Sequence, residues 1–337
     1  MNIARCHLDA LEALGYTEAE ARFLHIVATH SGYFRARQFL AFTAAHWGYR
    51  TNAFWNKLHA KKHARTECFP KSGTVYHLFS RRLYRQIGRE NIRNRREHEI
   101  EFIQRRIGML DFVLLNQGYQ YLETEPEKVR YFSNQMNVPN HLLPSKIYHG
   151  QRTSQPTVRY LVDKFPMFWG CRASSTVVTF TYFQGQEVHL TGLVRHLELY
   201  LPLFRQLSEF RFLYLARLDS HFEKAKELFD SLVTIPLGSD VSADLVRYFQ
   251  IRKAWDLGRY TSLSEVDLIF RNQAKPRFAG QRFEHLYRGW KVGRVTELDI
   301  RRDFGGSNRH ATIHFAAEVL CPFAISKEES VGNNSRV

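Results

Sequence analysis

The chain has 337 residues, 44% apolar and 14% aromatic, with 48 Lys and Arg against 33 Asp and Glu, a formal net charge of +15. That composition supplies more than one buried core and excludes a disordered, charge-dominated chain. No run approaches the roughly 18 apolar residues of a membrane span, and MNIARCHLDALEALGY carries no long apolar export segment, so a cytoplasmic protein with no membrane partner is expected.

Ile3, Leu8, Leu11 and Leu14 recur at helical spacing over residues 3–15 and stop at Gly15, which tolerates the left-handed backbone of a helix end. Thr17 with Glu20 three positions on is a capping-box pattern, predicting a helix through about His30 until Ser31-Gly32 breaks it. Helices over Arg35 to Thr43 and Tyr49 to Lys61 follow, joined by His46-Trp47-Gly48 as in a helix-turn-helix. In the second, Phe54, Trp55 and Leu58 face inward, while Arg50, Thr51, Asn52, Asn56, Lys57 and Lys61 face outward. Two β-type runs, Ala64 to Phe69 and Thr74 to Phe79, are joined by Pro70-Lys71-Ser72-Gly73, a hairpin with a basic tip. Helices followed by a two-stranded hairpin is the order of a winged helix-turn-helix, in which one helix enters the major groove and the wing lies along phosphates.

A long helix is predicted from Arg89 to Asn116, with Ile100, Ile103, Ile107, Leu110 and Leu114 forming a seam that can pack against its own domain or against a second copy in a homodimer. Arg93, Arg95 and Arg96 at its start read as a solvated face or as phosphate contacts beside the wing. Residues 118–170 read as short strands and loops, with an exposed segment around Gly150 to Pro156. Strand Thr176 to Phe183, helix Gly192 to Ser208, strand Phe210 to Ala216 and helix Ser220 to Leu232 then imply a crossover unit and a partly parallel sheet. Asp240 to Gly258 is helical and basic, Val295 to Ile300 and Thr312 to Val319 are strand-like, and Ser326 to Val337 is a polar tail. The expected organisation is α/β (α+β overall): a winged helix-turn-helix over 1–88, a connecting helix over 89–117, an α/β domain over 118–235, a basic region over 236–325 and a tail over 326–337.

The positive charge is placed, not spread. Residues 35–106 hold 17 Lys and Arg against 5 Glu, and residues 247–309 hold 14 against 7, whereas residues 107–246 balance 13 against 14. A basic field gathered on one module attracts polyanions and releases counterions on contact, which points to nucleic acid.

Signs of chemistry are few. Cys6, Cys68, Cys171 and Cys321 form no C-x-x-C pair, so no zinc site or disulfide framework is indicated and each is expected to be a small buried thiol. A metal-dependent nuclease needs clustered carboxylates on adjacent strands, yet the best strand carries Thr179 and Thr181 where an acid and a lysine belong. Asp163-Lys164 reads as an ordinary loop pair, and Glu297 and Asp299, alternate residues on a strand-like run, as partners of Arg294, Arg301 and Arg302. His59 and His63 suit groove contact or exposure better than zinc, and no H-E-x-x-H, phosphate-binding Gly-rich loop or G-x-S-x-G occurs. No cofactor and no metal are expected.

On Phe39 to Leu83, TVVTFTYFQGQ, Leu193 to Leu207 and RFLYLA, the layout resembles the replication-relaxation proteins of plasmids and conjugative elements. That resemblance implies a winged helix followed by a nuclease-like domain generally lacking its catalytic acids. The combined expectation is a non-catalytic double-stranded DNA-binding protein of a mobile element, nucleoid- or plasmid-associated, acting in regulation, replication or transfer. Asn52 and Asn56 would read adenine, Arg50 and Lys57 guanine or phosphate, and Arg65 and Lys71 would anchor the wing. Arg35, Arg37, Thr51, Lys61, Lys62, Arg93, Arg95 and Arg96 complete the expected interface. The alternatives are a winged helix used for protein contacts and a divalent-metal nuclease using Asp111, Asp163 or Glu187.

Overall fold

The computed structural model describes residues 1, 3–69, 73–148, 157–161, 165–169, 177–185, 189–237, 240–279, 281–305 and 311–321. It is a mixed α/β chain, and no helix among the described residues is long and apolar enough to cross a membrane.

The first elements are α1 (Arg5–Glu12), α2 (Glu18–His30), β1 (Tyr33–Phe34), α3 (Ala36–Thr43), α4 (Tyr49–Ala60), β2 (Ala64–Phe69), β3 (Gly73–Leu78) and α5 (Arg81–Gln86). The capping box forms as the sequence predicts: the Glu20 amide donates to Thr17 Oγ1 at 3.3 Å and the Thr17 amide to Glu20 Oε2 at 2.8 Å. Gly15, at φ +88°, makes the left-handed turn between α1 and α2. β1, β3 and β2 form one antiparallel sheet in that order, so the hairpin gains a third strand from the α2–α3 connection. Aromatic rings hold these pieces together. Phe39 stacks on Phe54 at 4.1 Å, Trp55 on Tyr76 at 4.6 Å, and Phe23 meets Phe39 edge-on at 5.1 Å. Each such buried ring contributes about 1.5–3 kcal/mol of transfer free energy, and together they set the rotation of α4 about its axis.

The predicted long helix begins later. Residues 93–95 form a 3₁₀ turn and the helix proper is α6 (Ile100–Leu115). Its apolar seam is not a free face: Ile103 and Ile107 pack with Tyr33 and Val75, while Leu110 and Leu114 join the core of α1–α4. Those four are between 0 and 5% exposed and Ile100 is half-buried, so the expected homodimer seam is closed within one chain. Gly108 lets α6 lie against the central sheet, since a Cβ there would stand 2.6 Å from the Phe183 ring.

Next come β4 (Gln120–Tyr121), α7 (Glu125–Arg130), β5 (Ser145–Tyr148), β6 (Thr157–Tyr160), β7 (Met167–Trp169), β8 (Thr179–Phe183), α8 (Thr191–Phe204), β9 (Glu209–Ala216), α9 (Phe222–Phe229) and α10 (Ile235–Leu237), with a π turn over Asp230–Thr234. β5 and β6 pair only with each other. The main sheet runs β10-β9-β8-β7-β4, where β10 is Thr312–Val319. β8, β9 and β10 are parallel, and β7 and β4 are antiparallel to their neighbours, so the crossover through α8 is as the sequence predicts. Phe180, Phe204, Phe210 and Phe212 fill the core under α8.

The last helices, α11 (Ser242–Asp256), α12 (Glu265–Arg277), α13 (Gln281–Lys291) and α14 (Glu297–Phe304), pack on their own core around Phe249, Tyr287 and Ile300. The strand expected over Val295 to Ile300 is instead the cap and first turn of α14, because Thr296 and Asp299 close a capping box that period-2 reading misses. Residues 236–325 therefore divide between a helical unit and the edge strand β10. Nor does packing divide at residue 88: Phe168, Phe183, Leu213, Leu215 and Leu320 of the sheet share a core with α1–α4. Cys6, Cys68 and Cys321 are exposed rather than buried, and Cys171 lies outside the described residues.

Candidate nucleic-acid interface

The aromatic cluster under α4 leaves Tyr49, Asn52, Asn56, His59, Ala60 and Lys61 on its solvent side, with Asn52 and Asn56 both exposed. The buried face is formed by Phe54, Trp55 and Leu58, as predicted. Thr51 is not on the outer face. It is 1% exposed, and its hydroxyl accepts from the Gly48 amide at 2.9 Å and donates to the Gly48 carbonyl at 2.8 Å, closing the helix start. Lys57 is drawn back onto α2, its ammonium 2.7 Å from Glu20 Oε2, the same oxygen that caps that helix. Trp47 and Tyr49, 51% and 90% exposed, stand beside the start of α4.

The predicted wing contact Arg65 is half-buried and bound to Glu67 at 3.0 Å and to Glu97, so its charge is matched. Lys71 and the side chain of Arg50 lie outside the described residues. Lys61 and Lys62 are exposed and make no ion pair among the described residues. Sequence reading missed their neighbours. α5 buries Leu83 and Tyr84 and exposes Arg81, Arg82 and Arg85, none of them ion-paired among the described residues. The signal was present as two arginines and a third four residues on, flanking an apolar pair, but six residues are too few for a periodicity window. Lys61 and Arg82 surround the same imidazole: burial, then these two charges, lower the His63 pKa to about 4, and its Nδ1 lies 2.7 Å from the Tyr16 hydroxyl. Lys61, Arg82 and the end of α4 therefore share one corner of the molecule.

Four expected contacts lie elsewhere. Arg35 and Arg37, at the start of α3, point to the seam with α6, where Arg37 is 3.7 Å from Asp111. Arg93 sits over the Tyr148 ring at 3.9 Å, and Arg95 Nε donates to the Glu90 carbonyl at 3.2 Å. Arg96 alone of that trio is exposed.

The strand expected to lack an acid and a lysine carries buried hydroxyls. Thr179 and Thr181 are 5% and 1% exposed, and Thr181 Oγ1 donates to the Pro166 carbonyl at 2.7 Å. Asp111, a candidate acid, is fully buried and bound by Gln38 at 2.6 Å and Arg217 at 3.1 Å, so it faces no solvent from which a cation and substrate could reach it. Asp163 and Glu187 lie outside the described residues. Among the described residues no three His, Cys, Asp or Glu side chains group as metal ligands. Glu297 and Asp299 share a helical turn rather than a strand face, and Asp299 pairs with Arg302 at 3.1 Å. Compared with family models, curated proteins and solved structures, the chain matches none.

Proposed function

We infer that the chain is a non-catalytic double-stranded DNA-binding protein that docks α4 in the major groove. The observation that carries this reading is the uncovered α4 face of Asn52, Asn56 and His59, ending among Lys61, Lys62, Arg81, Arg82 and Arg85, cations without an ion pair among the described residues. The order α2, β1, α3, α4, β2, β3 with the sheet order β1-β3-β2 supports a winged helix-turn-helix. Asn52 and Asn56 are one helical turn apart, and asparagine offers adenine a paired donor and acceptor. Lys61, Lys62 and the α5 arginines replace Arg65 and Lys57 as the phosphate contacts, because the latter two are neutralised within the chain.

In the second unit, the order α6, β4, β7, β8, α8, β9, an antiparallel meander followed by a helical crossover, supports a nuclease-like architecture whose acid and lysine positions are Thr179 and Thr181. This agrees with a replication-relaxation-like protein of a mobile element, serving in regulation, replication or transfer.

Titrating a mixed-sequence duplex by fluorescence anisotropy at two salt concentrations tests the reading. Wild type should bind with a steep inverse salt dependence. Lys61→Glu with Lys62→Glu should weaken binding more than about tenfold and flatten the log–log salt slope by about 2, since each phosphate contact contributes about 0.9. On a selected site, Asn56→Ala should lose about 1–3 kcal/mol of discrimination and leave the salt slope unchanged. No duplex binding by wild type at low salt would overturn the proposal.

A further inference from the structure

Between the first unit and the sheet lies a cavity of about 900 Å³ that the α4 interface does not use. One face of α6 (Phe102, Arg105, Arg106, Met109) and one face of α8 (Gly192, Arg195, His196, Leu199) line it at helical spacing, together with Tyr182 of β8 and residues of β5 and β6. Its lining holds eight Lys and Arg side chains against two carboxylates, and both carboxylates are engaged: Glu123 with Arg89 at 2.6 Å, Glu125 with Arg159 at 2.6 Å. Burial would raise the Glu123 pKa, but His30, His25 and Arg89 outweigh it and hold that carboxyl at about 2, so it is ionised and offsets one of the positive charges.

Two further features of the lining bear on what it can bind. Thr29, Arg89 and Arg106 are among its lining residues, and Thr29 Oγ1, Arg89 Nε and Arg106 Nε are buried with no hydrogen-bond partner among the described residues. In addition, α8, 14 residues long, begins at Thr191 after Leu190, whose side chain makes no capping hydrogen bond, and its second residue Gly192 is in the cavity wall. Amides at a helix start favour phosphate. Phe102, Met109, Leu161, Phe165 and Tyr182 give the same cavity apolar and aromatic walls, which a bare anion does not need. The volume is at the upper end of small-molecule sites, about 300–1,000 Å³, and excludes a duplex.

We propose that this cleft binds a nucleoside phosphate, with the aromatic walls taking the base and the arginine-rich lining the phosphates. It is a site separate from α4, so duplex binding and nucleotide binding stand or fall independently.

Calorimetric titration of the full chain with ADP, GDP, inorganic pyrophosphate, adenosine and a single-stranded hexanucleotide tests it. At least one of the two nucleoside diphosphates, ADP or GDP, should bind with a Kd below about 1 mM and at least about tenfold tighter than either pyrophosphate or adenosine. Lys146 and Arg195 are exposed at the cleft and unpaired among the described residues, so Lys146→Glu with Arg195→Glu should keep the wild-type melting temperature and weaken the nucleotide at least about tenfold. Failure of both nucleotides to bind, equal affinity for pyrophosphate, undiminished binding by the double variant, or preference for a single-stranded hexanucleotide over the nucleotides would each overturn the proposal.

Discussion

Lowering the pH from about 8 to about 5 is expected to destabilise the folded chain by several kcal/mol, because three buried histidines refuse the proton that the unfolded chain accepts. Burial is the leading cause at His25, His63 and His77, each 2% exposed or less, and lowers all three pKa values from 6.5 to about 4. His25 faces Arg89, His7 and His30, which lower it further, against Glu123, which raises it. His63 faces Lys61 and Arg82, and His77 stacks on Tyr33 at 4.2 Å while its Nε2 lies 3.3 Å from the Asn94 carbonyl. A depressed histidine pKa favours the neutral folded form, so its contribution is complete above about pH 6.5 and is lost as pH falls from 6.5 towards 4. Each histidine should account for on the order of 1–2 kcal/mol by pH 5. Glu123, held at about 2, adds a second loss only between about pH 4.5 and 2. Urea unfolding at the two pH values measures the sum, and His25→Leu, which cannot titrate, should remove about a third of the difference. An unchanged urea midpoint between pH 8 and pH 5 would show that these imidazoles are not neutral by burial.

Asp111→Ala is expected to cost about 3–5 kcal/mol of stability, the range for leaving buried charges without their partner. One carboxylate joins three elements there: Gln38 of α3 donates to Oδ1 at 2.6 Å, and Arg217, just after β9, donates to Oδ2 at 3.1 Å, with Arg37 at 3.7 Å. Arg217 also donates to the Leu320 carbonyl at 2.9 Å and lies over the Phe183 ring. Removing the carboxylate leaves Arg37 and Arg217 facing each other, beside Arg35, in a partly buried seam. Pairing Asp111→Asn with Arg217→Met should recover part of the loss of the single Asp111→Asn change, since the double variant removes charge on both sides. Purely additive losses would mean that the carboxylate acts through packing alone. The cost also bears on function, because this contact joins α3, beside the α4 helix, to the sheet.

The helices and hairpin of the first unit and the crossover through α8 were legible because their signals are local: a capping box at Thr17, a period-3.6 apolar stripe through Phe54 and Leu58, and β-branched runs ending at turn residues. The start of α6 and the identity of α14 were not. Arg93 to Glu99 is as polar as a helix surface, and nothing local distinguishes its turn from a first helical turn. Val295 to Ile300 alternates like a strand, yet the Thr296–Asp299 cap outweighs alternation over so short a run. The α4 face was legible as a polar stripe, but which of its cations are free was not. Glu20 lies 37 residues from Lys57, and Glu97 lies 32 from Arg65.

Composition, charge placement and local periodicity thus determined by themselves that a basic helical module with a hairpin precedes a partly parallel sheet, since backbone propensity and amphipathic spacing act within a few residues. Tertiary structure decided how the charges are used. It closed the α6 seam inside one chain, paired Lys57 and Arg65, moved Arg35, Arg37 and Arg93 into seams between elements, and brought α6, α8 and the β5–β6 hairpin together around a basic cavity. Ion pairing and desolvation depend on distances between residues far apart in sequence, and those distances exist only once the aromatic and aliphatic cores have packed.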